Sequence, residues 1–230
     1  SIETFSSTIA ATKAMMPDRI SLFSYAHLPE RFAAQRKFAE ETLPSSEEKA
    51  ALYKLAVNSF TNIGYEMIGL DHFALSKDSL AIAKNKGELH RNFQGYTLRG
   101  DTDLIGFGVS AISTVGNAFA QNAKELKEYY HRLDNHLPNA KVGLSLSVDD
   151  LIRRDVISSL MCNLAVDKQA IADKHHIIFD EYFASALNNL EELKEDGLIE
   201  TTSRYIRVPE SARIYIRAIC ARFDDYLNAS

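Results

Sequence analysis

Apolar residues recur along this chain with two periods, and the switches between them mark out its elements. Residues 3–15 have helical spacing, and Pro17 with Asp18 stops that helix. "RISLFSYA", Arg19 to Ala26, is a short apolar and aromatic run of strand type. "SSEEKAALYKLAVNSFTNIG" carries helix punctuation at both ends: Ser45 with Glu48 makes a capping box, and Gly64 stands where a C-terminal cap belongs. Between them Leu52, Leu55, Ala56, Phe60 and Ile63 line one face. "YEMIGLDHFA" predicts a second strand ending near Asp71 and His72. Strand, helix and strand then read as a βαβ unit with a right-handed crossover. A short helix spans 79–86. "LIGFGVSAIS", Leu104 to Ser113, is apolar on both alternating faces, which predicts a strand buried between helices. Residues 122–134 return to helix, so the first part reads as a portion of a parallel α/β sheet or barrel.

The second part changes character. In "LSVDDLIRRDVISSLMCNL", Ser147 is the expected N-cap, with Asp149 and Asp150 in the first turn. Leu151, Ile152, Val156, Ile157, Leu160 and Met161 form the apolar side. A short helix near 168–174 and a longer one over 180–196, closed by Gly197, come next. "LIETTSRYIRVP" predicts a small hairpin and "ESARIYIRAICARFDDYL" a final helix. Helix, helix, helix, hairpin is the outline of a winged-helix-like domain, and "NHLPNAKVG" sets the boundary near residue 140, between 1–140 and 141–230.

Composition narrows the class. The chain has 230 residues, 46% of them hydrophobic and 25% charged, within the range of globular proteins that build a core without disulfides or metals. A formal charge of −5 argues against a general nucleic-acid binder. No apolar run approaches a membrane span and no signal-peptide pattern opens the chain, so a cytoplasmic protein without a membrane partner is expected. Cys162 and Cys220 lie far apart on expected helices and should pack as small hydrophobes. The chain opens at Ser1 inside an amphipathic pattern, as a fragment of a longer protein does.

Candidate chemistry concentrates in "HRNFQGYTLRGDTDLIGFGVSAIS". Gly106 to Ala111 matches the dinucleotide fingerprint G-x-G-x-x-A. That motif works only at a strand-to-helix turn, and here the apolar run continues through Ile112, so the match is a coincidence. His175 and His176 are adjacent on a helix, point apart and have no further ligand at metal spacing. In "HRNFQGYT", Asn92 and Gln94 each donate and accept, Arg91 can clamp a carboxylate, and Phe93 and Tyr96 offer planar surfaces. Such a loop suits a planar ligand bearing acids. His90 joins these by position, and Asp71 and His72 join as a strand terminus, where ligands of parallel α/β folds collect.

The strings "SYAHLPERFAAQRKF", "YEMIGLDHFAL", "LHRNFQGYT", "DTDLIGFGVSAIS", "FAQNAKELKEYY" and "IRRDVISSLMCN" resemble the oxygen-independent coproporphyrinogen III oxidases from about residue 17 to the end. The resemblance implies the later part of a radical S-adenosylmethionine (β/α) partial barrel followed by a mostly helical, winged-helix-like C-terminal domain. It implies oxidative decarboxylation of two propionates of coproporphyrinogen III to vinyls, with S-adenosyl-L-methionine and a [4Fe–4S] cluster as cofactors. Ala26 and Ile112 match positions lining the S-adenosylmethionine site, and Gln94 one near the substrate. The cluster needs three cysteines as C-x-x-x-C-x-x-C, which two distant cysteines cannot supply. No metal ligand and no catalytic acid or base is assigned. The chain therefore resembles a C-terminal half, is expected to be inactive alone, and should seek the missing half-barrel or a second copy through an unpaired sheet edge. A haem-binding chaperone relative of the same family is the alternative.

Overall fold

Ser1 and Thr4 cap each other reciprocally and start α1 (Ile2–Met15), and Met16 closes it in the left-handed conformation, ahead of Pro17. The computed structural model describes residues 1–100 and 102–228. The chain divides into two compact units, residues 1–86 and 87–230.

In the first unit, α2 (Ser46–Thr61) carries the capping box expected from Ser45 and Glu48, and Gly64 follows with φ +94°. Ala56 and Phe60 are the buried members of its stripe. They pack with Ile9, Tyr65 and Phe73 into one core. The Phe60 ring meets Tyr65 and Phe73 edge-on at 5.9 and 5.6 Å, the arrangement that ring quadrupoles favour.

The strands depart from the expected βαβ unit. "YEMIGLDHFA" is two strands, β2 (Tyr65–Gly69) and β3 (His72–Leu75), and β1 covers only Arg19–Ser21. The sheet order is β1-β3-β2, with both pairings antiparallel. β1 and β2 thus run in the same direction, as the pattern predicts, but β3 occupies the slot between them. The cause is local. The register slips between Met67 and Gly69, Leu70 takes φ +47°, and the chain reverses within two residues. Closing so short a loop costs less entropy than closing the long crossover, and it fills β1's open side. Helix α3 (Ser79–Lys86) follows as expected, and Lys84 donates from Nζ to the Met67 carbonyl at 2.8 Å.

The second unit opens with a hairpin, β4 (His90–Asn92) and β5 (Gly95–Thr97). An antiparallel sheet in the order β6-β7-β8 comes next, built from Ile112–Val115, Ala118–Asn122 and Ala140–Ser145. The buried strand expected over Leu104–Ser113 does not form. Leu104 makes a single bridge to Thr114, and residues 105–111 are a loop with Gly108 at φ +98° and Ser110 at φ +60°. Phe107 in that loop is 89% exposed, so its apolar character does not report burial. The helix expected from 122 begins at Leu126 as α4 (Leu126–Asp134), and Asn122 instead ends β7, paired with Ala140. β8 escaped the sequence pattern, since every one of its residues is exposed.

Helix α5 (Val148–Asn163) starts at Ser147 and Asp150, which cap each other. It buries Ile152, Val156, Leu160 and Cys162. β9 (Ala165–Asp167) and α6 (Lys168–His175) follow. The long helix expected over 180–196 is three short ones, α7 (Phe179–Tyr182), α8 (Ala184–Asn188) and α9 (Glu191–Glu195), closed by Gly197 at φ +70°. The breaks let Phe183 turn inward to meet Phe179 at 4.8 Å and Phe223 at 5.5 Å. The hairpin β10 (Glu200–Thr201) and β11 (Tyr205–Arg207) forms as expected, and β9 joins it as a third strand. The final helix is also divided, into a 3-10 turn (Glu210–Tyr215), α10 (Ile216–Ala221) and α11 (Asp225–Asn228).

Candidate functional site

The candidates fall into two groups, one in each unit. In the first unit Asp71 and His72 form the β2–β3 corner. The Asp71 carboxylate accepts from His72 Nδ1 at 2.9 Å, and both side chains are largely covered. The Asp71 carbonyl accepts from the Leu22 amide at 2.7 Å. The His72 ring meets Phe23 edge-on at 6.0 Å. The corner is therefore held against the segment leaving β1, which carries Ala26. Phe23, Tyr25 and His27 of that segment line a cavity of about 230 Å³, with Tyr53 and Lys49 from α2. His27 Nδ1 is buried without a hydrogen-bond partner.

Ala26 itself is exposed, and its backbone is organised by a side chain the sequence reading missed. Gln35 donates from Nε2 to the Ala26 carbonyl at 3.1 Å and accepts the Leu28 amide at Oε1 at 2.5 Å. Its neighbour Arg36 donates from Nε to the Pro29 carbonyl at 2.8 Å. Both sit on a one-turn 3-10 helix, Ala33–Lys37. A single amide seven or nine residues downstream has no periodic signature, so only its place in the "ERFAAQRK" string could have flagged it.

In the second unit the β4–β5 hairpin separates its own candidates. Arg91 pairs with Tyr96 across the hairpin, and its guanidinium carbon stands 4.9 Å above the Tyr96 ring, within range of a cation–π attraction. The Tyr96 hydroxyl donates to the Met161 carbonyl of α5 at 3.4 Å. Burial pushes that hydroxyl up to about 12, with the Arg91 charge working in the opposite direction. Burial also pushes the Cys162 thiol up to about 11, again opposed by Arg91. Arg91 thus faces α5, and its Nη1 is buried without a partner. His90 is exposed and lies so close to Gly100 that a Cβ there would fall 2.1 Å from its Nδ1. Gln94 is exposed at the turn, where its backbone N–H donates to Asn92 Oδ1 at 2.8 Å. The hairpin therefore sends Arg91 inward and leaves His90 and Gln94 on the surface.

Ile112 opens β6, half-buried and paired with Gln121. A Cβ on Gly106 would stand 2.7 Å from the Ile112 carbonyl oxygen, so glycine is what lets the two backbones approach. Asn122 holds the Gly108 carbonyl at 2.8 Å, and Gln121 holds the Ser110 carbonyl at 3.0 Å. These two amides on β7, which the sequence reading did not single out, support the loop in place of a ladder.

A cluster finds no cradle here. Among the described residues no group of three or more His, Cys, Asp or Glu could hold a metal ion. Cys162 and Cys220 are free thiols in the core, and burial pushes Cys220 up to about 12, far from the thiolate form that binds iron. Among the described residues no helix is long and apolar enough to cross a membrane.

Residues 146–215 match the family model described as the HemN C-terminal domain. The chain is similar to the oxygen-independent coproporphyrinogen III oxidase of Salmonella typhimurium, at 47% identity over 98% of this chain and 49% of that protein. The protein of the same name from Thermostichus vulcanus is 42% identical, over 98% of this chain and 70% of its own length. A solved structure described as coproporphyrinogen III oxidase (HemN) from Escherichia coli, a radical SAM enzyme, matches with a TM-score of 0.95 at 47% identity. That match covers 99% of this chain and 52% of the other. The chain thus spans about half the length of the Salmonella relative.

Proposed function

This chain belongs to the family of oxygen-independent coproporphyrinogen III oxidases, and we propose that it serves as the C-terminal half of such an enzyme. The observation that carries this reading is a match running through 98–99% of this chain but about half of the Salmonella and Escherichia relatives. The proposed reaction is the oxidative decarboxylation of two propionates of coproporphyrinogen III to vinyl groups, giving protoporphyrinogen IX in haem biosynthesis.

In the whole enzyme, S-adenosyl-L-methionine and a [4Fe–4S] cluster supply the radical chemistry, while the protein binds, orients and excludes water. The donor set of this chain does not fit the cluster, so its ligands belong to the half-barrel that this chain does not span. Ala26 and Ile112 are assigned to the S-adenosyl-L-methionine site. The cavity flanked by Tyr25 and His27 supports that assignment for Ala26. Gln94, His90, Arg91, Asp71 and His72 are assigned to the porphyrinogen. His90 and Gln94 offer exposed hydrogen-bonding groups for a carboxylate-bearing ligand, and Asp71 fixes the tautomer and direction of His72. Arg91 faces α5, so its contribution is to hold the hairpin and lend it positive charge. Residues 141–230 form the C-terminal domain in this reading, with the family match at 146–215 lying inside it, and the cytoplasm is the proposed compartment.

The test is reconstitution. This chain, mixed with a separately produced N-terminal half carrying the three-cysteine segment and its cluster, should convert coproporphyrinogen III when given reductant and S-adenosyl-L-methionine. The chain without that half should not. Turnover by this chain by itself overturns the proposal.

A further inference from the structure

We propose that Gln35 is the positioning residue for the loop Ala26–Leu28, acting as a two-ended clamp; this rests on the assignment of that loop to the S-adenosyl-L-methionine site. A carboxamide presents an uncharged donor and an uncharged acceptor side by side on one planar head. Gln35 uses both on one short stretch of backbone, Nε2 on the Ala26 carbonyl at 3.1 Å and Oε1 on the Leu28 amide at 2.5 Å. The stretch lacks a ladder: strand pairing ends at Ser21, and after the Leu22 amide's bond to Asp71 the chain runs as loop to Leu28. Without periodic structure, a local side chain must satisfy and orient these backbone groups.

Four further contacts make the clamp stiff. Arg36 holds the Pro29 carbonyl at 2.8 Å. Phe38, at the end of the same 3-10 turn, meets the Tyr25 ring edge-on at 6.3 Å. The amides of Arg31 and Phe32 both donate to the Leu28 carbonyl at 3.0 Å, so the chain turns back at that point and brings Gln35 over the loop. The consequence is that Tyr25 and His27, the two side chains flanking Ala26, are both presented to the cavity. Gln35 does not line that cavity itself. Its effect on cofactor affinity is therefore indirect, through the backbone it holds.

Three variants separate the possibilities: Gln35→Leu removes both bonds, Gln35→Glu keeps only the acceptor, and Arg36→Lys controls for the neighbouring bond. Amide hydrogen exchange of Leu28, read by NMR on this chain, should quicken about tenfold in Gln35→Leu. Gln35→Glu should retain most of the protection, and Arg36→Lys should quicken exchange at Leu28 far less than Gln35→Leu does. In the reconstituted enzyme, Gln35→Leu should raise the KM for S-adenosyl-L-methionine about tenfold with kcat and the porphyrinogen KM unchanged. Unchanged exchange at Leu28 in Gln35→Leu overturns the clamp. Faster exchange with an unchanged KM leaves the clamp standing and removes the loop from the cofactor site. Absence of turnover in the unsubstituted reconstituted protein strikes at the function while the exchange measurement still decides the clamp.

Discussion

Gly106, Cys162 and Cys220 show how much a single position decides here. Gly106 is required by proximity: any side chain would start 2.7 Å from the Ile112 carbonyl. Gly106 is held by its amide's bond to Ser113 Oγ and by Asn122 Nδ2 on its carbonyl, and Ile112 is held in its pairing with Gln121. Gly106→Ala should destabilise the chain by about 1–3 kcal/mol, measured by urea unfolding. Gly143→Ala is the milder control, its nearest contact being 3.3 Å. The thiols show burial acting on charge. Cys162 rises from 9.0 to about 11 and Cys220 from 9.0 to about 12, both chiefly through desolvation. The folded state therefore keeps these protons after the unfolded chain has released them. Their contribution is fully present below pH 9 and is lost as pH climbs from there towards 11–12. The urea midpoint should fall between pH 9 and pH 11, and a Cys162→Ala, Cys220→Ala double variant should show a smaller fall. An equal fall in both proteins rejects the thiols as the cause.

At the scale of elements, helices were legible where their ends carry chemistry. Ser45 with Glu48 and Ser147 with Asp150 form reciprocal caps at the expected positions. Ser147→Ala should cost about 1 kcal/mol, seen as a lower melting temperature, and Ser147→Asp should recover most of it. Helices without such punctuation were overextended by periodicity: the span 180–196 breaks twice so that Phe183 can enter the core beside Phe179 and Phe223. Strands fared worse because their pairing is non-local. Period two in "YEMIGLDHFA" is compatible with one long strand or a hairpin, and the left-handed Leu70 decides for the hairpin. "AKVGLS" in β8 has no buried residue to reveal a face.

For the molecule as a whole, β8 is the exposed edge of its sheet, with Val142 at 60% and Leu144 at 52% exposure. An exposed edge presents unpaired N–H and C=O groups that can template a further strand, here beside a lone guarding charge at Lys141. On its own the chain should self-associate there. Light scattering should give a mass that rises with concentration, and Val142→Lys should hold it at the monomer. A single monomeric species at all concentrations refutes the association. Addition of the N-terminal half should suppress self-association if the same edge serves both.

The order of the residues was sufficient to determine the caps, the apolar faces of α2 and α5, the burial of both cysteines and the kinship carried by strings such as "HRNFQGYT" and "SYAHLPERFAAQRKF". Each depends on neighbours within a few positions or on literal identity, so each survives without coordinates. Only the tertiary structure decided that β3 lies between β1 and β2, that Arg91 faces α5 while His90 and Gln94 remain on the surface, and that Gln35 grips the backbone around Ala26. Those facts follow from which distant segments share a core, and the free energy of that choice is spread over many contacts with no fixed spacing along the chain.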